Sequence, residues 1–431
     1  MMLLESGLAQ VSGDRRRPAP RRAGGAGLAG LLAVSAAPIR KRFTEGTHRR
    51  ETPARTLARL LPRLPEFGVT RVARLTGFDR TGIEVFAAVR PNARGLSVAN
   101  GKGLGAPAAK VSAVMEAVER WHAERPRIAL RFGEPADLAG LGRTVDVDAL
   151  PRRRAPGAGP IAWAEATDLA NGAPALVPFD LVHTCWLAGL PESPFFTSTG
   201  GLASGSHPAE AALHALCELI EGDAVTLFER LPPEARTAQR IDAATIDAPD
   251  VAGLLADLAS RGFALALWDA TTDVGVATVL CALTDAEAPR SPAGFGSGCH
   301  PDRGIAAIRA ITEAAQTRAI AISGARDDLG PDLYAPGVAV RFRRAIEGSG
   351  EAATRPWAAL PTAARDCLRA DLRAVVAAVT AAGCGPVLAV DLSREPRLAV
   401  VRLVVPGLEP AAPPGEALAG ARATRPEAHL A

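Results

Sequence analysis

Apolar and polar residues follow one another along this chain in two rhythms. Segment 52–69, TPARTLARLLPRLPEFGV, spaces its apolar residues as one face of a helix and is interrupted by proline, so it reads as an amphipathic helix that is broken part-way. The pieces 70–76 (TRVARLT) and 83–90 (IEVFAAVR) read as strands. In segment 161–179, IAWAEATDLANGAPALVPF, two apolar runs are joined through Asn171 and Gly172, the residue pair a hairpin turn calls for. Apolar runs return late, as GPVLAVDLS (385–393) and LAVVRLVVP (398–406). Helices and strands are mixed rather than strictly alternating, which predicts an α+β domain or an irregular α/β one.

One pattern occurs three times. SAVMEAVER from Ser112, HALCELIEG from His214 and RAITEAAQT from Arg309 each open on a polar residue and place a glutamate four positions later: Glu116, Glu218 and Glu313. A second polar group follows three further on, at Glu119, Glu221 and Gln316. Offsets of four and seven share one face of a helix. A glutamate on a single helix usually marks a solvated face. Here the carboxylates are flanked by Ala, Val, Leu, Ile and Met with hardly a cation to balance them, so the segments read as buried. Buried carboxylates repel one another and persist only when protons, arginines or cations neutralise them. An all-oxygen donor set suits a hard cation such as magnesium, which commonly arrives with a phosphate.

Each helix is preceded by a glycine-containing stretch, NGKGLGAP, GGLASGSHP or GFGSGCHP, read here as a loop whose N–H groups can approach a phosphate. Only Lys41, Lys102 and Lys110 are lysines, and Lys102 sits in the first of these stretches as a compact charge for a phosphate oxygen. No Gly-Lys-Ser/Thr follows, so the stretch is not a Walker A loop, and alone it would pass for a plain turn. Arg309 and Arg318 bracket Glu313 and could clamp phosphate oxygens or simply pair with a neighbouring glutamate.

Composition narrows the classes. A net charge of +3 and 4% aromatic residues give neither the field nor the stacking surface of a nucleic-acid binder, and a small molecule or a peptide is the expected ligand. Six scattered cysteines, without a Cys-x-x-Cys pair, read as reduced and mostly buried thiols, with Cys299 beside His300 the one candidate for a reactive thiol. Residues 1–37 read as a disordered, arginine-bearing tail. Its apolar run GLAGLLAVSAA is too short to cross a bilayer, although basic residues ahead of such a run also mimic an export signal. Residues 38–410 then form the folded domain, and 411–431 a proline-rich unstructured end.

Four stretches, SVANGKGLGAPAAKVSAVMEAVERWHAE, STGGLASGSHPAEAALHALCELIEGDA, HPDRGIAAIRAITEAAQTRAIAISGARDD and VDLSREPRLAVVRLVVPGLE, resemble the signature regions of YcaO proteins, in the same order, between about Gly46 and Glu409. The resemblance implies an α+β YcaO-type domain with mixed sheets and three related helices around an ATP site. Matched by position, Glu116, Glu119, Glu218, Glu221 and Glu313 would hold magnesium. Lys102, Ser112, Arg120, His214, Arg309, Gln316 and Arg318 would contact the nucleotide. The resemblance further implies a reaction in which a nucleophile adds to a peptide backbone amide, the oxyanion takes the γ-phosphoryl group of ATP, and phosphate leaves. Such chemistry asks for positioning and charge neutralisation more than for an enzyme-borne nucleophile, and the chain offers no clear Ser/His/Asp set; no catalytic residue is assigned.

Two positions depart from the family pattern. Gly200 replaces a usual Asn and Gly222 a common Arg, which leaves a non-catalytic scaffold that binds ATP or a peptide as a competing reading. A magnesium enzyme acting on a diphosphate is a third. The end RATRPEAHLA lacks the alternating prolines of many azoline-forming relatives, which tilts the expectation toward thioamide formation on a peptide or protein. Together with GTHRRETPARTLARLLP, the chain resembles stand-alone members that work beside a TfuA-like partner. A cytoplasmic location, no membrane or nucleic-acid partner, and a homodimer complete the expectation.

Overall fold

The computed structural model describes residues 28–32, 37–155, 159–187, 192–324, 326, 328–330, 334–347, 355–413 and 415–430. Helix α1 (Pro53–Leu60) is capped by the Thr52 hydroxyl and gives way to a tighter 3-10 turn through Pro65, as the broken helical pattern predicts. Strands β1 (Arg71–Arg74), β2 (Glu84–Val89) and β3 (Val98–Gly103) form an antiparallel sheet, and helix α2 (Ala106–Glu124) lies on it.

A larger sheet follows. Its strands β4 (Leu130–Gly133), β5 (Arg143–Thr144), β6 (Ile161–Asp168), β7 (Pro174–Pro178) and β8 (Leu202–Gly205) precede helix α3 (Pro208–Arg230). After α4 (Pro233–Ala238) and α5 (Pro249–Ser260), β9 (Phe263–Asp269), β10 (Thr278–Asp285) and β11 (Gly294–Cys299) build a second antiparallel three-stranded sheet under helix α6 (Arg303–Ser323). Helices α7 (Pro336–Glu347) and α8 (Leu368–Ala381) lead to β12 (Leu388–Asp391) and β13 (Ala399–Val404), which return to the larger sheet in the order β5-β7-β6-β12-β13-β8, with β4 also on β6. The β6–β7 hairpin turns where expected: Gly172 takes a φ of +75° and its N–H donates to the Asp168 carbonyl at 2.7 Å.

The architecture is thus α+β, and it repeats one unit three times: a strand (β3, β8 or β11), a short turn, and a long helix (α2, α3 or α6). The glycine-containing stretches read as loops are largely these strands. Their glycines serve the helix rather than an anion. A Cβ on Gly296 would lie 2.3 Å from the Ala310 carbonyl oxygen and 2.4 Å from the Ala314 nitrogen; one on Gly101 would lie 2.0 Å from the Ala113 nitrogen. Glycine on the strand and alanine on the helix let two backbones touch, which fixes each helix against its own strand to within a fraction of an ångström.

Both chain ends differ from the expected tails. Within 1–37, Leu28 and Leu31 are buried against the α3 and α8 core, and residues 1–27 and 33–36 lie outside the described ones. Residues 415–430 are packed, not unstructured. Glu409 accepts from the Gly420 and Ala423 N–H groups at 3.0 and 2.9 Å, and Arg422 binds the fully buried Asp223 of α3 at 2.9 Å and Asp273 at 2.6 Å. Burial pushes the Asp223 carboxyl above its usual range despite its arginine, so this pair is costly to break.

Two stability outcomes follow. Gly296→Ala should lower the unfolding free energy by about 1–3 kcal/mol or more by overpacking, whereas Gly253→Ala, on an exposed turn of α5 with open space around it, should raise it by about 0.4–1 kcal/mol; denaturant midpoints compare them. Arg422→Ala, which strands the Asp223 carboxylate, should cost about 3–5 kcal/mol in the same measurement.

Candidate functional site

The three helices converge on one cavity of about 420 Å³. Because residues four and seven positions along each helix share a face, Glu116, Glu119, Glu218, Glu221, Glu313 and Gln316 all line it, together with Ser112, His214 and Arg309, the polar residues that open the three repeats. Lys102 projects into it from β3.

Neighbouring units are stitched together in sequence. Glu119 of α2 accepts from Ser204 of β8, at 2.8 Å from the N–H and 2.6 Å from the hydroxyl. Glu221 of α3 accepts from β11, at 2.7 Å from the Ser297 hydroxyl and 2.9 Å from the Cys299 N–H. Glu313 of α6 pairs with Lys102 of β3 at 2.5 Å, which closes the ring. Lys102, Ser204 and Cys299 stand at the same sequence distance before Glu116, Glu218 and Glu313 of their own helices, so the repeated pattern and the ring of contacts have one origin.

The electrostatics follow from crowding. Glu119 is pushed up to about 7, first by burial and then by Glu116, against the hydrogen bonds from Ser204. Glu218 is pushed up to about 8, first by burial and then by Glu119 and Glu221. Glu221 is raised as well, by burial and by Glu313. Glu119 and Glu218 face the cavity and so retain some exposed surface, yet protein encloses them on the other sides and the burial governs. His214 is held well below the usual imidazole range by burial and by Arg49, Arg309 and Lys102, and is neutral.

Two predicted nucleotide contacts stand apart. Arg120 forms an ion pair with Glu116 one turn earlier and donates to the Val98 carbonyl at 3.0 Å; it braces α2 on β3 and is absent from the cavity lining. Arg318 is almost fully buried outside the cavity. Its guanidinium binds Asp79 at 2.9 and 3.1 Å, approaches Asp285 at 3.9 Å and lies over the Phe263 ring, so the structure uses it as a core ion pair. Cys299 is also buried, with its thiol pushed well above the usual range, which removes the reactive-thiol reading. Conversely, Arg49 and Glu210 line the cavity without having been singled out, and so do Asn100 and Ser204. Glu210 accepts from the Arg50 N–H at 2.9 Å and stands 3.8 Å from Arg49. Arg49 lies within the segment GTHRRETPARTLARLLP, but nothing in that segment's pattern marks it for the site.

What the cavity could hold follows from its donors. Crowded, buried carboxyl groups that are reluctant to ionise, all-oxygen ligands and nearby lysine and arginine suit magnesium with a polyphosphate. The Arg309 Nε and the Asn100 Oδ1 are buried with no hydrogen-bond partner among the described residues, as expected of groups that meet a ligand. Among the described residues no three His, Cys, Asp or Glu side chains make a ready-formed metal cluster. Magnesium fits that arrangement, because it takes one or two carboxylates and completes its shell with phosphate oxygens and water.

A second cavity, of about 330 Å³, meets the first at Glu218, Glu221 and Glu313, which line both. Gly200 and Gly222, the two departures from the expected pattern, both line it.

Comparison with known proteins places the chain. A family model described as YcaO cyclodehydratase, ATP- and Mg2+-binding, matches residues 100–409. The chain is 40% identical over 330 residues to the uncharacterized protein in the tfuA 3′ region of Rhizobium leguminosarum bv. trifolii, covering 71% of this chain and 74% of that one. It is 36% identical over 381 residues to an uncharacterized protein of Methanothermobacter thermautotrophicus, with 83% and 94% covered. Among solved structures, YcaO from Methanopyrus kandleri bound with AMPPCP and Mg2+ superposes with a TM-score of 0.69 at 26% identity, over 86% of this chain and 95% of that one. A heterocyclase in complex with substrate and cofactor shares the fold, with a TM-score of 0.71 at 20% identity over 88% of this chain; that heterocyclase is longer, and 54% of it is covered. Three strand–helix units around a carboxylate-lined cavity, the family match and these relatives lead to one conclusion: the chain belongs to the YcaO family of ATP- and Mg2+-binding proteins.

Proposed function

We propose that the chain uses magnesium-bound ATP to activate the oxygen of a peptide backbone amide, and that its product is a thioamide. The observation that carries this reading is the single cavity in which Glu116, Glu119, Glu218, Glu221 and Glu313, from three helices, meet Lys102, Arg49 and Arg309. Bound there, magnesium ATP supplies the phosphoryl group that turns the amide oxygen into a leaving group. Glu218 and Glu221 would hold the cation from α3, with Glu119 of α2 and Glu313 of α6 lining the same cavity. Lys102 and Arg309 offset phosphate charge, and Arg309 has an Nε donor to spare. Ser112, His214 and Gln316 line the same cavity, one from each helix, and would orient the nucleotide through neutral hydrogen bonds. The chain needs no nucleophile of its own, because the attacking sulfur comes from outside.

Thioamide formation is favoured by the relative from the tfuA 3′ region, which supports a TfuA-like partner. The family description also names cyclodehydratases, so ring closure is the second reading. One experiment separates them: the protein, a TfuA-like partner, ATP, Mg2+, sulfide and a candidate peptide are incubated and the peptide is weighed. A gain of about sixteen mass units means sulfur for oxygen, and a loss of about eighteen means ring closure, both consequences of phosphate departure. An unchanged mass while ATP is still hydrolysed would favour a scaffold.

Two outcomes test the site itself. Glu218→Gln should lower Mg2+-dependent ATP turnover by at least about 100-fold, the loss expected when a metal site is disturbed, without changing the far-ultraviolet dichroism. The raised carboxyls also fix a pH dependence. Folded Glu119 and Glu218 keep their protons to about 7 and 8, above the ordinary range for a free glutamate, so the ligand-free protein loses stability as pH rises from about 4.5 to 8. Magnesium needs the ionised form. Mg2+-AMPPCP should therefore bind more tightly at pH 8 than at pH 6 and release about one proton at pH 7, which titration calorimetry in two buffers of different ionisation enthalpy measures.

A further inference from the structure

The second cavity shares with the first only Glu218, Glu221 and Glu313, the carboxylates assigned to the cation. A phosphoryl transfer between two substrates needs such a meeting point, because donor and acceptor must approach one metal-held group in line. The two cavities differ in chemistry. The first carries Arg49, Lys102 and Arg309; the second is walled by apolar residues, including Phe196, Leu219, Val225, Phe295 and Leu408, with Arg402 among them. Arg402 is 4% exposed. It donates from Nε to the Leu181 carbonyl at 2.7 Å and from Nη2 to the Ser198 carbonyl at 2.9 Å, while Nη1 has no partner among the described residues. Glu218 offsets part of the Arg402 charge across the recess, and the donor left over is what a carbonyl oxygen would satisfy.

The walls are fixed. The stretch that carries Pro410 and Ala411 is pinned to α3, where Asp223 accepts from the Glu409 N–H at 3.0 Å and the Thr226 hydroxyl donates to the Pro410 carbonyl at 2.7 Å. Gly222 immediately precedes the first of these anchors on α3. A Cβ there would stand 3.2 Å from the Ala411 nitrogen and 3.4 Å from the Ala411 Cβ, so any larger side chain must push that segment away or turn into the cavity. Gly200 also lines the recess, and a Cβ there would meet only the Ser198 hydroxyl, at 3.3 Å.

We infer that the second cavity receives the acceptor peptide and that Gly222, assisted by Gly200, determines which peptides enter. The inference rests on the amide-activating reading above. The acceptor lodges an uncharged apolar side chain among Leu219, Val225 and Phe295, with a backbone carbonyl on Arg402 and the reacting amide turned toward the shared carboxylates. An acidic side chain is disfavoured there, because among Leu219, Val225 and Phe295 a carboxylate would lose its hydration without gaining a partner.

Capped dipeptides serve as probes. With the protein saturated in Mg2+-AMPPCP, N-acetyl-Leu-Gly-amide binding is followed by ligand-detected NMR and compared with N-acetyl-Glu-Gly-amide. The leucine dipeptide should bind at least about tenfold more tightly than the glutamate one, and Gly222→Leu should weaken it by at least about tenfold. The same variant should keep its Mg2+-AMPPCP affinity within about twofold. Should Gly222→Leu lose nucleotide affinity through misfolding, Val225→Phe fills the same recess from the next turn of α3 and must give the same selective loss. Absence of dipeptide binding, equal binding by the filled variants, or displacement of the dipeptide by AMPPCP overturns the inference. Failure of the unaltered protein to bind Mg2+-AMPPCP would instead bring down the amide-activating reading on which it stands.

Discussion

Like charge held at close quarters is the constraint around which this molecule is built. Carboxyl groups from three helices look into one cavity, and burial together with mutual repulsion keeps Glu119, Glu218 and Glu221 reluctant to ionise. Such a cluster is tolerable only if the scaffold is stiff enough that the groups cannot drift apart and if each has a partner that offsets part of the desolvation. The fold meets both demands. Glycine and alanine seat each helix directly on its own strand, and each helix then lends a glutamate to the strand of the next unit.

The cyclic order has a functional corollary. No unit completes a corner of the cavity alone: α2 needs Ser204, α3 needs the Ser297 and Cys299 donors, and α6 needs Lys102. Replacing one glutamate therefore disturbs two units at once, and effects at the three corners will not be additive. The third corner is unlike the others. It closes through a lysine ion pair rather than a hydroxyl, so at this corner the strand-to-glutamate contact itself carries a positive charge. A polyphosphate lying toward that side and a cation toward the other would use the asymmetry.

Much of this was readable in the amino-acid order, for reasons that are local. The glutamates at offsets of four and seven share a face wherever they fold as helices, so Glu116, Glu119, Glu218, Glu221, Glu313 and Gln316 were found by period alone. The β6–β7 hairpin announced itself through Asn171 and Gly172. What escaped depends on long-range contact. Gly101 and Gly296 look like loop residues until a helix backbone is seen lying against them. Arg318 looks like a phosphate ligand because it follows Glu313 closely, yet five positions on a helix is a turn of about 140° away from it, and Asp79 waits on that other side. Arg49 reaches the cavity from a segment whose pattern speaks only of a helix start. The packed residues 415–430 read as unstructured because their proline, glycine and alanine content hides one arginine that matters.

That arginine has a consequence for how the chain assembles. Asp223 sits in the middle of α3, and the side chain that neutralises it, Arg422, is 199 positions further along. Loops of that span close late and at an entropic cost that grows with length. Until the end of the chain has folded against α3, no guanidinium stands beside the Asp223 carboxylate, so the helix that carries Glu218 and Glu221 gains this ion pair only from the last residues of the domain.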